Sequence, residues 1–139
     1  MRNGRPKIVW LLMVALLTGC ATLWMSQEER LRQRVTGFWE ALKAGDLVAM
    51  YDYEELSRRP EASLQKYVQS KGGIRYLNYH IQSIEFPNPK EAEVTLAVEY
   101  MAPPVLQKPV KGQIRDRWVK IGGTWYHAPK RPSSESKSH

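Results

Sequence analysis

The sequence predicts an α+β fold in which N-terminal helices pack on an antiparallel sheet. Between Ser26 and Gly73, apolar residues recur every three or four positions, which is the period of an amphipathic helix. From Ile74 onward, β-branched and aromatic residues are enriched and apolar positions alternate with polar ones, which is the period of a strand. Helices followed by strands are typical of the α+β class.

The first helix has clear signals at both ends. Ser26-Gln27-Glu28-Glu29 is a capping-box pattern, in which the serine accepts from a backbone N–H and the glutamate reaches back to the cap. Gly45 supplies the C-terminal stop. Five apolar residues between these ends share one helical face and form its predicted core side: Leu31, Val35, Phe38, Trp39 and Leu42.

Two shorter helices follow. Asp46 can cap a helix over Leu47 to Tyr53. Ser57-Arg58-Arg59-Pro60 is a break, and proline is favoured at a first helical position, so a third helix is expected from there to about Gln69. Gly72-Gly73 ends it. Its predicted apolar side comprises Leu64, Tyr67 and Val68.

The strand half begins with a segment over Ile74 to Phe86, followed by the turn Pro87-Asn88-Pro89-Lys90, whose prolines cannot donate to a ladder. In the next segment, apolar residues from Ala92 to Tyr100 alternate with Glu91, Glu93, Thr95, Ala97 and Glu99. This alternation predicts a half-buried strand with one face to water.

The remaining strands form a predicted hairpin. Pro103-Pro104 interrupts the pattern, and another strand is expected over about Pro109 to Ile121. Gly122-Gly123 is a two-residue hairpin signal, after which Thr124 to Ala128 returns.

The N-terminus carries the pattern of a secretory signal peptide. A basic start (Arg2, Arg5 and Lys7) precedes the uncharged run Ile8 to Leu17, which is shorter than the roughly 20 residues of a spanning helix. Leu17-Thr18-Gly19-Cys20 closes the run, and Cys20 is the only cysteine. The alternatives are a signal cleaved elsewhere or an uncleaved anchor, with Cys20 a bystander.

These four residues resemble the lipobox of bacterial lipoproteins. The resemblance implies that residues 1–19 are a signal peptide and that Cys20 becomes a diacylated, palmitate-carrying first residue. Two or more acyl chains give stable membrane anchoring, since each buried methylene contributes about 0.8 kcal/mol. Residues 20–25 would be a lipidated tether. Ala21 follows the cysteine, as in lipoproteins of the outer membrane, so we expect the periplasmic face of that membrane where the host has one.

Composition argues against a nucleic-acid partner. Three of the 21 basic residues lie in the predicted signal, which leaves 18 against 14 acidic residues, a net charge of +4. A nucleic-acid-binding surface needs a dense basic stripe with interleaved aromatics, whereas here acids and bases are mixed. The 120 residues that follow the signal suit one domain, at 26–129. The polar, serine-rich residues 130–139 are expected to be a disordered tail.

The domain resembles the nuclear-transport-factor-2-like superfamily, also called the cystatin-like α+β cone. The similar segments are the end of the first helix, Trp39-Glu40-Ala41-Leu42-Lys43-Ala44-Gly45-Asp46, and the closing hairpin from Asp116 to Tyr126. The resemblance implies a curved sheet wrapped around the long helix, with a cavity at one end. Members include ketosteroid isomerase, polyketide cyclases and dehydratases, and many non-catalytic binding domains, so the fold does not fix the function.

A ketosteroid-isomerase-like site needs a carboxylate base and a hydrogen-bond donor beside an apolar ligand. The candidate acids are Asp116, which alternates with inward-facing positions, and Asp52. His80 is a further candidate, either as the base or as the hydrogen-bond donor. The flanking Arg115 and Arg117 favour an outward Asp116 paired with a neighbouring strand. The remaining candidates are pocket residues or donors: Tyr51, Tyr76, Trp118 and Tyr79.

Other chemistries find little support in the sequence. No two histidines have metal-ligand spacing, so no metal site is expected. No Gly-rich phosphate loop is present, and no other cofactor is expected. His127, near the end of the last strand, is expected to be exposed. The three tryptophans of the domain are expected in the core: Trp39, Trp118 and Trp125.

Two functions of different class follow. The first is a lipid-anchored, non-catalytic module that binds a small apolar ligand or an envelope protein. The second is a small isomerase or dehydratase that uses a carboxylate in the cone. A deep cavity with a desolvated carboxylate facing a tyrosine or histidine would favour the enzyme, and a filled cone or a purely apolar lining would favour the module.

Overall fold

The computed structural model describes residues 25–130 of the chain. The predicted signal peptide, the lipid attachment site Cys20, nearly all of the tether and residues 131–139 of the predicted tail lie outside this range. Within it, no helix is both long enough and apolar enough to cross a bilayer.

The helices lie where the caps predict. Helix α1 spans Gln27–Ala44, and both hydrogen bonds of the capping box at Ser26 are present. Gly45 ends the helix in the left-handed conformation at φ 70°, which glycine adopts without steric cost. Four of the five predicted core residues of α1 are buried, and Leu42 packs partly buried against them.

Helix α2 spans Leu47–Tyr53 and is followed by a single 3₁₀ turn, Glu55–Arg58. Helix α3 covers Leu64–Ser70. The expectation that Pro60 opens α3 is wrong, because the Ser63 side chain accepts from the backbone N–H of Lys66 and caps the helix there.

Four antiparallel strands of the described range form one sheet in the order β1-β2-β3-β4. They are β1 (Arg75–Asn88), β2 (Glu91–Ala102), β3 (Leu106–Ile121) and β4 (Thr124–Ala128). β1 runs two residues beyond Phe86, so the predicted four-residue turn shortens to Pro89 and Lys90. Three register irregularities interrupt the pairing of β1 with β2, and such bulges bend a strand and help curve the sheet.

The core lies between the helices and one face of the sheet. The apolar positions of β2 are buried in one core cluster with those of α1, and all three predicted tryptophans are at most 1% exposed. The opposite face carries ion pairs between β2 and β3, including Arg117 to Glu91 at 2.7 Å and Arg115 to Glu93 at 3.3 Å. The α+β fold with helices on a curved antiparallel sheet is therefore confirmed.

Candidate functional site

A cavity of about 470 Å³ lies at the C-terminal end of α1, between the helices and the concave face of the sheet. Its mouth is marked by lining residues that are exposed, among them Gly45, Lys71 and Ile74. The apolar groups of its wall are Phe38, Trp39, Leu42, Leu47, Met50, Ile74 and Ile114.

A depression of similar size lies near the turn between β1 and β2. Its lining includes the two ion pairs of the outer sheet face, so four of its charged groups already have partners. The cavity at the end of α1 is the better ligand site, because apolar concave walls with few polar groups are what small-molecule sites present.

Asp116 of β3 reaches the wall of this cavity and is 7% exposed. The indole N–H of Trp39 donates to Asp116 Oδ2 at 2.8 Å. His127 Nε2 lies 3.5 Å from Asp116 Oδ1. The expectation that the flanking arginines turn Asp116 outward is wrong: β3 pairs in register here, so Arg115 and Arg117 take the outer face and Asp116 the inner one.

His127 of β4 lies between two carboxylates. Its Nδ1 is 2.9 Å from Glu54 Oε2, and its ring stacks on Phe38 with centroids 4.4 Å apart. Burial opposes the charged ring, but the hydrogen bonds and charges of Asp116 and Glu54 outweigh it and raise the pKa of His127 to about 9. The imidazole is therefore protonated at neutral pH, with both N–H groups directed at carboxylates.

Glu54, which links α2 to the 3₁₀ turn, is 6% exposed. The Tyr67 hydroxyl donates to Glu54 Oε1 at 2.9 Å, and Lys71 Nζ lies 3.8 Å from the same oxygen. Burial alone would raise the pKa of Glu54, but His127, Tyr67 and Lys71 together lower it below its ordinary value. Two anions and two cations thus balance in one network along the cavity.

Two members of this network were not anticipated from the sequence. The expectation that His127 is exposed is wrong, because only 19% of its side chain is accessible. A parallel backbone bridge between Glu54 and His127 brings the segment after α2 over the end of β4. Glu54 was missed because it belongs to no motif and precedes a helix break, where an acidic residue normally faces water.

The other candidate residues are dispersed. Tyr76 lines the cavity, with its ring 5.1 Å from that of Trp39. Trp118 is fully buried in the core, where it contacts the edges of Phe38 and His127. Asp52 and His80 are exposed and are not among the cavity's lining residues.

Two further tyrosines are occupied elsewhere. The Tyr51 ring packs on that of Tyr67 at 5.3 Å, and Tyr51 is not among the lining residues. Tyr79 donates its hydroxyl to Glu40 Oε1 at 2.8 Å.

The cavity offers one acceptor and one donor to an apolar guest. Asp116 supplies carboxylate oxygens, and the Tyr76 hydroxyl makes no hydrogen bond within residues 25–130. Burial, followed by the charge of Asp116, raises the pKa of Tyr76, so the phenol keeps its proton and can donate. In the same range, no three acidic, histidine or cysteine side chains are grouped so that they could hold a metal ion.

Comparisons with known proteins show the fold and no more. No protein-family model and no curated protein sequence matches the chain. Among solved structures, it is similar to an NTF-2-like protein of unknown function from Shewanella oneidensis, with 17% identity and a TM-score of 0.52 over 73% of this chain and 94% of that one. A ketosteroid isomerase-like protein from Erwinia carotovora gives 15% identity and a TM-score of 0.53, with the same coverage.

A SEC-C motif containing protein from Rhodopseudomonas palustris gives 14% identity and a TM-score of 0.52, over 75% of this chain and 76% of that one. At such identities, the similarity defines an architecture. The domain has the nuclear-transport-factor-2-like α+β cone, and its function has to be argued from its own cavity.

Proposed function

We propose that the protein is a lipid-anchored protein of the cell envelope whose cone cavity binds a small, mostly apolar molecule. The observation that carries the binding function is the cavity of about 470 Å³, lined mainly by aliphatic and aromatic side chains. Burial of apolar ligand surface in such a cavity supplies the affinity, at about 25 cal/mol per Å². Tyr76 and Asp116 orient one polar group of the ligand.

The desolvated Asp116 beside Tyr76 and His127 meets the condition that favours an enzyme, but the closed charge network favours binding, because the groups that would move protons already have partners. Both N–H groups of His127 face carboxylates, and Asp116 has two protein donors. Groups so fully paired hold the end of the cavity rigid, and a rigid cavity binds without the cost of ordering its walls. The ligand itself is identified by mass spectrometry of small molecules extracted from the detergent-solubilised protein.

Occluding the mouth should abolish ligand binding. Ile74 lines the cavity and is 51% exposed, so Ile74→Trp can place an indole across the opening without disturbing the core. We expect the affinity for the uncharged fluorescent probe N-phenyl-1-naphthylamine to fall at least about tenfold, which is roughly 1.4 kcal/mol. The matched control is Val105→Trp, at a residue that is 85% exposed and outside the cavity lining. Unchanged affinity in Ile74→Trp would place the probe elsewhere.

The anchor rests on the four residues Leu17-Thr18-Gly19-Cys20. Cys20→Ser removes the only sulfur that could carry diacylglycerol, so we expect an unprocessed precursor and no incorporation of labelled palmitate. Normal processing and labelling of this variant would refute lipidation at Cys20.

A second candidate function is an isomerase or dehydratase. It is favoured by Asp116, a desolvated carboxylate on the wall of an apolar cavity that also presents the Tyr76 hydroxyl. In this function Asp116 would move a proton next to a carbonyl, and Tyr76 would donate to the developing oxyanion.

Asp116→Asn tests this candidate, because asparagine keeps the shape and cannot accept the proton. For a β,γ-unsaturated cyclic ketone, formation of the conjugated enone should slow by about 10²–10⁴-fold. The exposed Asp52→Asn serves as control and should retain the wild-type rate. A wild-type protein that produces no enone would eliminate this isomerisation.

A further inference from the structure

A second polar feature lies away from the cavity, on the surface where α1 meets β4 and the 3₁₀ turn. Arg34 of α1 is half-buried there. Its Nε donates to the backbone carbonyl of Trp125 at 2.7 Å, and one terminal nitrogen donates to the carbonyl of Asp52 at 3.3 Å. These bonds fix the position of the guanidinium but do not neutralise its charge.

The same guanidinium lies over two aromatic rings. The Arg34 carbon Cζ lies 4.3 Å from the centre of the Tyr53 ring and 5.1 Å from that of Tyr126. Arg58 Cζ lies 5.2 Å from the centre of the same Tyr126 ring. A Cβ at Gly37 would lie 2.3 Å from the Tyr53 hydroxyl, so the absence of a side chain on α1 is what lets Tyr53 lie there.

In the part of the chain that the structure describes, Arg34 and Arg58 form no ion pair with a carboxylate, whereas the nearby Arg32 and Arg59 do. Arg32 pairs with Glu28 at 2.8 Å and Arg59 pairs with Glu55 at 2.8 Å. Within residues 25–130, no carboxylate lies within 4 Å of Arg34 or Arg58. Two arginines therefore share one ring with their positive charges unopposed at close range.

The charge of Arg34 is poorly compensated where it lies. Burial lowers the pKa of Arg34 below its ordinary value, and the charge of Arg58 acts in the same direction. The electrostatic effects of Tyr126, Tyr53 and Asp52 act in the opposite direction and offset this only in part. An anion that contacts both guanidiniums would offset this charge, and arginine forks match the oxygens of a phosphoryl group.

We propose that Arg34 and Arg58 form a binding site for a phosphoryl group. Arg34 is preorganised by two carbonyls and two rings, and the exposed Arg58 closes on the anion from solvent. The site lies about 12 Å along α1 from Ser26, whereas the cavity mouth at Gly45 lies about 28 Å from it. It is therefore nearer to the start of the domain, and either a lipid headgroup or a free phosphate could supply the group.

The test is an NMR titration of the full-length protein in a non-ionic detergent, at constant ionic strength. Because the Nε–H of Arg34 is held by the carbonyl of Trp125, it should give an observable resonance. One arm adds inorganic phosphate and the other adds dihexanoylphosphatidylglycerol. We expect this resonance to shift with saturation in at least one arm. A shift with inorganic phosphate only would identify a free anion as the ligand. A shift with the lipid only, or with both additions, would identify a lipid headgroup.

Arg58→Gln should weaken the binding at least about tenfold, since it removes the charge-assisted hydrogen bonds of one of the two guanidiniums. Arg58 is exposed, so the variant should fold. The control is Arg32→Gln, which removes an arginine of α1 that already has a carboxylate partner and should leave the affinity unchanged. No shift in either arm, or equal weakening by both substitutions, would overturn the proposal.

Discussion

Between pH 6.5 and pH 9, the free energy of unfolding should fall by about 3 kcal/mol, because His127 is protonated in the folded protein over this range and neutral in the unfolded chain. The folded-state pKa of about 9 lies above the ordinary value of 6.5, so the folded state binds more protons and stability decreases as the pH rises. The full contribution is present below pH 6.5 and has been lost above pH 9. The charged groups around the ring are Asp116, Glu54 and, through Glu54, Lys71.

Urea unfolding followed at a series of pH values measures this loss. His127→Gln should be less stable than the wild type at pH 6, since it leaves two buried carboxylates without the cation between them, and its stability should change little up to pH 9. The matched control is His80→Gln. His80 is exposed, so this variant should keep the wild-type pH dependence. A wild-type profile that is flat over this range would contradict the charged state assigned to His127.

Trp118→Ala should lower the free energy of unfolding by about 3–5 kcal/mol, as expected for a large aromatic side chain removed from a packed core. Trp118 is fully buried and packs edge-on against Phe38 at 5.9 Å and against His127 at 5.6 Å. The vacated space would therefore adjoin the stacked rings of Phe38 and His127 in the candidate site. Such a loss is a large fraction of the 5–15 kcal/mol typical of domains.

The measurement is again urea unfolding, at pH 6, where His127 is protonated. Trp118→Phe should cost less than the alanine variant, because it fills much of the space and removes a buried indole N–H that has no acceptor within the described residues. Val105→Ala, at a residue 85% exposed, should change stability by no more than about 0.5 kcal/mol. A Trp118→Ala variant as stable as this control would show that the packing around Trp118 is loose.

The local signals of the sequence anticipated most of the fold. The capping box at Ser26, the stop at Gly45 and the alternation from Ala92 to Tyr100 each predicted an element that is present. Each of these elements depends on residues a few positions apart, so the spacing of apolar residues or a capping motif is enough to predict it. The error at Pro60 has the same local nature, since Ser63 offered a competing cap.

Local patterns in the sequence predicted only part of the candidate site. The alternation of β3 placed Asp116 in line with inward-facing neighbours, but the two flanking arginines suggested the opposite orientation, and only the register with β2 decided between them. Arg115 and Arg117 form ion pairs with Glu93 and Glu91 on the outer face. Asp116 therefore lies on the inner face, where it accepts a hydrogen bond from the indole of Trp39.

By itself, the sequence determined the class of fold, the order of its elements and a leader pattern that predicts lipidation at Cys20. Tertiary structure alone decided that His127 is buried, that Glu54 reaches it across 73 positions of the chain, and that Arg34 binds the carbonyl of Trp125 across 91. The physical reason is that helices and strands follow from periodicities within one segment. A charge network depends instead on where the segment after α2 packs against β4, which no single segment encodes.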